Sequence, residues 1–451
     1  MKVNVTKYSI DLRSKDDIRL NIGISIDVSV EKRIDTSVVI QLNPIAYLVD
    51  KASTMSFDML YLSAIIYAID RAVNRGIYSI DGWSREFDVD IALPHYDQFQ
   101  PIERHINTML SFLTGDYWTC HFVGTEAVKF PNFKESLFFD GITQVNLFSG
   151  GMDSLIGAID FMTNHPDGKL FLASHYDSKM PGPKRDQHEL KKLLLAKYKN
   201  QFCDVPAIMI TPSQSFELSS RSRSLMFLSI ALIVASYAKC DIVVPENGSV
   251  SLNYPLSPSR RASCSTRTTH PVFLNQFRDI IAILGVTIGI SNPYEKQTKG
   301  EMVERCADKE YLLQVVATSN SCGKRGKRQF MYDTHNATHC GHCMPCMYRK
   351  AAMIKGTDKI KGGADNTTYG NSFITLYNKK GYKVAEDFFA MIEFLKKDLT
   401  RAQIRRELRI GGMGGFDDLD DYVDLVIRTR EELSAMIRKD NNSIILQYMN
   451  W

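Results

Sequence analysis

No segment of this 451-residue chain is of low complexity, and none of its apolar runs is long enough to span a bilayer. The longest, Leu225 to Ala238, is short and interrupted by serine. The opening residues, Met-Lys-Val-Asn-Val-Thr-Lys, lack the apolar core of a secretory signal, so the expected location is cytoplasmic. Excess charge is also scarce. With 55 basic and 51 acidic side chains the net charge is only +4, and bulk charge gives no argument for a nucleic-acid partner. There is no Walker run, Gly-x-x-x-x-Gly-Lys-[Ser/Thr]. Nine cysteines in a chain of this length, four of them in one cluster, make no disulfide framework. The remainder, 44% apolar and 24% charged, is ordinary for a globular protein and excludes disorder and a collagen-like chain. The length suggests two or three domains.

What is present is concentrated first in residues 145 to 154, Val-Asn-Leu-Phe-Ser-Gly-Gly-Met-Asp-Ser. Four strand-like residues end in two glycines, after which Leu155, Ile159 and Met162 repeat at helical spacing. At a strand-turn-helix junction the glycines let the backbone approach a ligand. The first N–H groups of the helix point outward with the positive end of its dipole. Such a turn is an anion cradle.

Around it the pattern is one of strands alternating with helices from about residue 140, which predicts a parallel sheet with right-handed crossovers. The expected strands are 145 to 148, 169 to 174, 206 to 211, 241 to 245 and 286 to 290. Helices are expected at 154 to 163, 186 to 198, 221 to 239 and 271 to 283. Before this lies an α+β region. It contains a long alternating strand from Ile18 to Val30, a helix from Ser56 to Arg75, a strand from Phe87 to Leu93 and a helix from Ile102 to Leu113 closed by Gly115. After it, Lys-Gly-Gly-Ala-Asp-Asn-Thr-Thr-Tyr-Gly at 361 to 370 reads as a linker to helices Ala385 to Ile410 and Asp417 to Arg438. The glycines at 411 to 415 follow a helix rather than a strand and read as a helix-helix turn. The domain expectation is an α+β accessory domain over 1–135, an α/β domain over 136–360 that carries the glycine turn and the four-cysteine cluster, and a helical region over 361–451.

The second concentration is Cys322 followed, after seventeen intervening residues, by Cys340-Gly-His-Cys343-Met-Pro-Cys346. Four thiolates so spaced suit one tetrahedral zinc ion that holds the fold together, with a [4Fe-4S] cluster as the rival. His335, His339 and His342 are expected beside the site or at the surface. The other five cysteines are expected to be unpaired and mostly buried.

The run Ser149-Gly150-Gly151-Met152-Asp153-Ser154 resembles the Ser-Gly-Gly-x-Asp-Ser signature of the PP-loop ATP pyrophosphatase superfamily. Together with the cysteine cluster and Arg349 just after it, the likeness extends over roughly residues 140 to 360 to the 7-cyano-7-deazaguanine synthase (QueC) family. The extended form looks like the QueC-like proteins of Qat-type bacterial antiviral operons. The resemblance implies an adenine nucleotide α-hydrolase-like fold that binds ATP on Ser149, Gly150, Gly151, Asp153 and Ser154. Asp153 would lie near Mg2+, and Asp153, Ser154 and Lys299 would act in catalysis. It further implies activation of a 7-deazapurine carboxylate with release of AMP and pyrophosphate, for attack by ammonia or an amine of a partner protein.

The family's Asp-x-Ser-Gly-Tyr-Pro-Asp-type segment is replaced here by Pro-Glu-Asn-Gly-Ser at 245 to 249. Glu246, Asn247 and Gly248 follow a strand and stand where substrate contacts are expected, with Arg267 as a further contact to phosphate or carboxylate. Arg221, Arg223 and Lys299 are candidates to neutralise a triphosphate, and His175 could border the nucleotide or be a satisfied core histidine. Lys324, Arg325, Lys327 and Arg328 have no interleaved aromatics for base stacking. Two other readings stand beside the first: an RNA-modifying PP-loop ATPase, and an inactive nucleotide-binding scaffold.

Overall fold

The amino-terminal strand pattern is carried by real burial: Ile18, Leu20, Ile22, Ile24 and Ile26 are all within 3% of full burial, while Val30, in the following turn, is fully exposed. In this computed structural model, which describes residues 1–14, 17–126, 129–130, 139–199, 201–217, 219, 221–257, 267–357 and 365–451, these residues lie on β2. The strands are β1 (Lys2–Ser14), β2 (Asp17–Ser29), β3 (Lys32–Gln41), β4 (Glu86–Leu93), β5 (Tyr117–Gly124), β6 (Gln144–Leu147), β7 (Leu170–Ala173), β8 (His175–Tyr176), β9 (Phe202–Cys203), β10 (Ile208–Pro212), β11 (Asp241–Val243) and β12 (Ile290–Ser291). They form two sheets.

A mixed seven-stranded sheet has the order β5-β4-β1-β2-β3-β10-β8. A five-stranded sheet, β12-β11-β6-β7-β9, is parallel throughout. The molecule is therefore α/β, with a parallel sheet, a mixed sheet and further helices. The expected strand near 206 to 211 forms, but it pairs antiparallel with β3 and parallel with β8, in the mixed sheet. Its place in the parallel sheet is taken by the two-residue β9. A short apolar run fits any sheet edge that buries it, so periodicity cannot choose the partner. The boundary expected at 135 falls outside the described residues, as do residues 361–364 of the expected linker. One core nevertheless runs from Val3 to Ile290, across the first of these positions.

Helices α1 (Thr54–Ala72) and α2 (Glu103–Thr114) serve the mixed sheet, and α2 ends at Gly115 with φ +72°, as the glycine there predicted. Helices α3 (Met152–Asn164), α4 (Pro181–Lys197), α5 (Arg223–Ala238) and α6 (Pro271–Ile283) flank the parallel sheet. Beyond them come the short α7 (Lys299–Glu304) and α8 (Met344–Thr357), which starts inside the cysteine cluster. The single helix expected over 385 to 410 is two, α9 (Glu386–Lys396) and α10 (Arg401–Leu408). Thr400 and Gln403 form a capping box that starts the second. Helix α11 (Leu419–Asp440) follows a tight turn in which Gly412 has φ +101°.

Buried charge ties the two halves together. Arg75 binds Asp116 through both Nη atoms at 2.7 and 2.6 Å, and Arg85 reaches both Asp70 and Asp116 at 2.5 and 2.8 Å. Asp70 in turn accepts from Ser222 Oγ at 2.8 Å, immediately before α5. All four charged groups are essentially inaccessible. Removing the Arg85 guanidinium would leave two buried carboxylates short of a partner, so Arg85→Met should lower stability by roughly 3–5 kcal/mol, read as a lower urea midpoint.

Candidate functional site

The parallel sheet places the glycine turn where its topology changes direction. From β6 the chain moves outward through β7 and β9, then returns to the other side of β6 with β11 and β12. The turns after β6 and β11 therefore flank a crevice at the carboxyl ends of the strands, the usual ligand position in such sheets.

The turn itself is built by backbone demands. Gly150 has φ +86°, a left-handed conformation that glycine adopts without strain. Gly151 precedes the first residue of α3, and Ser154 Oγ donates back to Gly151 O at 3.0 Å. Ser149 is exposed and Gly151 half-buried. The N–H groups of Asp153 and Ser154 lie in the first turn of α3, where no helical carbonyl can accept them. The sequence places Ser149, Gly150, Gly151 and Ser154 together, and the geometry keeps them so.

Asp153 joins this turn to distant parts of the chain. Its Oδ1 accepts from Lys299 Nζ at 2.6 Å and its Oδ2 from Asn247 Nδ2 at 2.7 Å, with Asp153 and Lys299 both buried. Asn247 is fixed from its other end, because its Oδ1 caps Gly248–Ser251 by accepting from Val250 N at 3.0 Å. Glu246 also hydrogen-bonds Asp153. Burial pushes the Asp153 carboxyl up, but the Lys299 ammonium and the hydrogen bonds from Glu246, Lys299 and Asn247 outweigh it and hold the group below its usual value. Glu246 is pushed the other way, well above the usual carboxylate range, by burial first and then by the Asp153 charge. The two carboxyls thus share a proton on the Glu246 side. Asp153, Glu246, Asn247 and Lys299 meet although 146 positions separate Asp153 from Lys299.

A small residue, silent in the sequence reading, allows this. A Cβ on Gly157 would stand 2.4 Å from Pro245 Cβ, so only glycine lets α3 lie this close to the turn after β11. Asn292, at the end of β12, then holds Glu246 O at 2.8 Å. Gly248 serves packing and backbone bonding, its N–H meeting Gln297 O at 2.8 Å.

Arg267 lies apart from this group. It stacks 4.4 Å over Phe112, donates to Phe112 O at 3.2 Å, and lines a cavity of about 90 Å³ with Asn253, His270, Glu407 and Gly411. Its neighbours Ser265 and Thr266 are outside the described residues, and Cys264 with them. His270 caps α6. His175 is a satisfied core group: Nε2 meets Ile210 O at 3.2 Å, and burial with the nearby Arg223 drives its pKa to about 3. Arg221 donates to Thr114 O and Arg223 to His175, both turned toward the protein interior. Arg325 pairs with Asp186 on α4, beside Gly150.

The cysteines form the second centre. The sulfurs of Cys322, Cys340, Cys343 and Cys346 lie within 4.8 Å of one another, with Cys340–Cys346 at 3.8 Å and Cys343–Cys346 at 3.4 Å. A tetrahedral ion with metal–sulfur bonds of about 2.3 Å needs neighbouring sulfurs roughly 3.8 Å apart. Backbone N–H groups of His342 and Cys343 point at Cys340 Sγ at 3.4 and 3.3 Å, which favours thiolate there. The donor set fits, and the cluster could hold a metal ion such as zinc. His339 and His342 sit around it rather than in it: His339 Nε2 accepts from Ser321 N at 3.4 Å, and His342 Nδ1 faces Asn371.

The segment that leads into the cysteine cluster touches the glycine turn. Asn320 N donates to Gly150 O at 2.9 Å, and Met152 N donates to Ser321 Oγ at 3.3 Å. Arg349, fully buried, pins the preceding segment through Ser319 Oγ at 2.9 Å and Val316 O at 2.7 Å. The sequence signalled Arg349 only by its nearness to the cysteines.

Lys299→Met should cost roughly 3–5 kcal/mol at pH 7, because it strands a buried carboxylate. Without the ammonium, burial dominates and the Asp153 pKa rises. The deficit against the native protein should therefore narrow as pH falls and Asp153 takes up a proton, measured by urea unfolding at pH 7 and pH 5. Metal analysis should find one zinc per chain, and Cys340→Ser should lose it. Chelation should lower the melting temperature and speed hydrogen exchange in residues 149–154, through Asn320 and Ser321.

Comparison with known proteins gave no match, whether to a family model, a curated protein or a solved structure.

Proposed function

We propose that the chain is an ATP-dependent adenylating enzyme of the PP-loop type. It would join the α-phosphate of ATP to a carboxylate, release pyrophosphate, and pass the activated acyl group to a nitrogen nucleophile. The observation that carries this reading is the meeting of Asp153, Lys299, Asn247 and Glu246 beside the Ser149–Ser154 turn, at the carboxyl ends of a parallel sheet. The turn offers anion-binding N–H groups without a Walker lysine, and a buried lysine stands beside it. Adenylation turns a carboxylate oxygen, a poor leaving group, into part of AMP, a good one.

In this reading Ser149 Oγ, Ser154 and the first N–H groups of α3 hold the phosphates. Lys299 offsets the negative charge that builds as pyrophosphate departs. Asp153 fixes the Lys299 ammonium and the Asn247 amide in position. Mg2+ supplies charge neutralisation of the phosphates when bound. Asp153 and Glu246 supply the carboxylate oxygens that such a hard cation takes and would be its protein ligands beside the turn. Zinc at the four cysteines is structural. The resemblance to 7-cyano-7-deazaguanine synthases points to a 7-deazapurine carboxylate as the acid and to ammonia or a partner protein's amine as the acceptor. It also points to a role in bacterial antiviral defence.

Incubation with ATP, Mg2+, 7-carboxy-7-deazaguanine and ammonium should release AMP and pyrophosphate in equal amounts. Release of ADP and phosphate instead, or no turnover with any carboxylate and amine, would sink the reading. The raised pKa of Glu246 fixes the sign of the pH dependence. The carboxyl is neutral below that pKa and ionised above it, so Mg2+-dependent activity should climb as pH rises, and Glu246→Gln should remove this alkaline limb. Stability follows the opposite course, since the contribution of a group with a raised pKa is lost as pH rises through it.

A further inference from the structure

Helix α11 reaches the site from the far carboxyl-terminal region, and three of its residues at i, i+4 and i+7 face it together: Leu425, Thr429 and Glu432. Each touches a turn that presents a group to Asp153. A Cβ on Gly248 would stand 2.6 Å from Leu425 Cδ2 and 2.1 Å from Glu295 O, so this turn is pressed flat between the helix and a backbone carbonyl. Thr429 Oγ1 donates to Leu425 O at 2.7 Å and accepts from Ser249 Oγ at 2.6 Å, directly after Asn247 and Gly248. Glu432 accepts from Thr298 Oγ1 and, at 3.2 Å, from Gly300 N, on either side of Lys299.

The Glu432 carboxylate is itself held. Lys355 Nζ lies 3.1 Å from it, on α8, and Thr298 and Glu301 close a capping box beside it. Arg428, one turn earlier, pairs with Glu301 at 2.8 Å and donates to Lys296 O at 2.7 Å. Glu432 is 7% exposed and Thr429 equally so. A buried carboxylate aimed at the first N–H groups of α7 fixes where that helix begins. The start of α7 fixes where the Lys299 ammonium sits.

We propose that α11 is a positioning element of the site, with Glu432 and Thr429 as positioning residues that hold the Lys299 and Asn247 turns in one register against Asp153. The inference rests on the adenylating reading only for its kinetic consequence. The carboxyl-terminal region is then an integral wall of the centre. Neither residue touches a reacting atom; both act through the two turns.

The test uses the full-length protein and two near-isosteric variants, Glu432→Gln and Thr429→Val, with exposed Glu431→Gln as control. The glutamine keeps the shape but must turn an amide N–H toward one of the two donors. Without any substrate, hydrogen exchange read by mass spectrometry should quicken about tenfold or more in both 246–251 and 298–304 in each variant, and stay native in the control. With ATP and substrate, kcat should fall about 10- to 100-fold while the KM for ATP is unchanged, as expected of misplaced rather than missing groups. Native exchange in both turns would overturn the proposal, as would a response confined to the turn each residue touches. Failure of the native protein to release pyrophosphate would refute the adenylating reading alone, since the exchange arm needs no turnover. Should Glu432→Gln fail to fold, the same exchange pattern in Thr429→Val decides the matter.

Discussion

One buried carboxylate organises this centre. Asp153 stands in the first turn of α3, almost out of reach of water, and an unpaired carboxylate there would cost several kcal/mol. It is tolerable only because Lys299, Asn247 and Glu246 converge on it from two other strand ends. Those residues can converge only if α3 lies against Pro245, which Gly157 permits. They also need the strand order to open a crevice between β6 and β11. Sheet order, helix approach and charge pairing are thus consequences of one requirement. If any fails, the carboxylate must take a proton, and the lysine loses its anchor.

A short arm couples the cysteine cluster to the glycine turn. Cys322 is two residues from Asn320, whose N–H binds Gly150 O, and Ser321 supplies the acceptor for Met152 N. A metal ion that fixes four sulfurs also fixes this arm, and therefore the back of the glycine turn. Helix α8 extends the same logic. It begins at the cluster, packs closely at Gly356 against Val303 of α7, and carries Lys355 to Glu432. A structural metal can in this way influence the placement of Lys299 without approaching it.

Much of the centre was legible before any coordinates because it depends on local sequence. A glycine at positive φ and a helix starting two residues later leave a mark in six consecutive residues. Four cysteines in a short span leave another. Helix α6 runs from Pro271 to Ile283, the bounds expected from the sequence, with proline at its first position. What stayed hidden was relational. Nothing in Ile208–Pro212 says that it joins the mixed sheet instead of the parallel one. Gly157 looks like any helical glycine until Pro245 is seen above it. Glu432 looks like any glutamate on an amphipathic helix, since its meaning lies in Thr298 and Gly300, more than 130 positions away. The pairing of Lys299 with Asp153 likewise joins residues that no spacing rule connects.

The same relational logic bears on the amino-terminal region. It shares a sheet with β8 and β10, a core with α5, and a buried network in which Arg75 and Arg85 hold Asp70 against Ser222 at the start of that helix. A region joined by hydrogen-bonded strands and desolvated ion pairs moves only at the cost of breaking them. It therefore acts as part of the frame on which β6 and β11 are spaced.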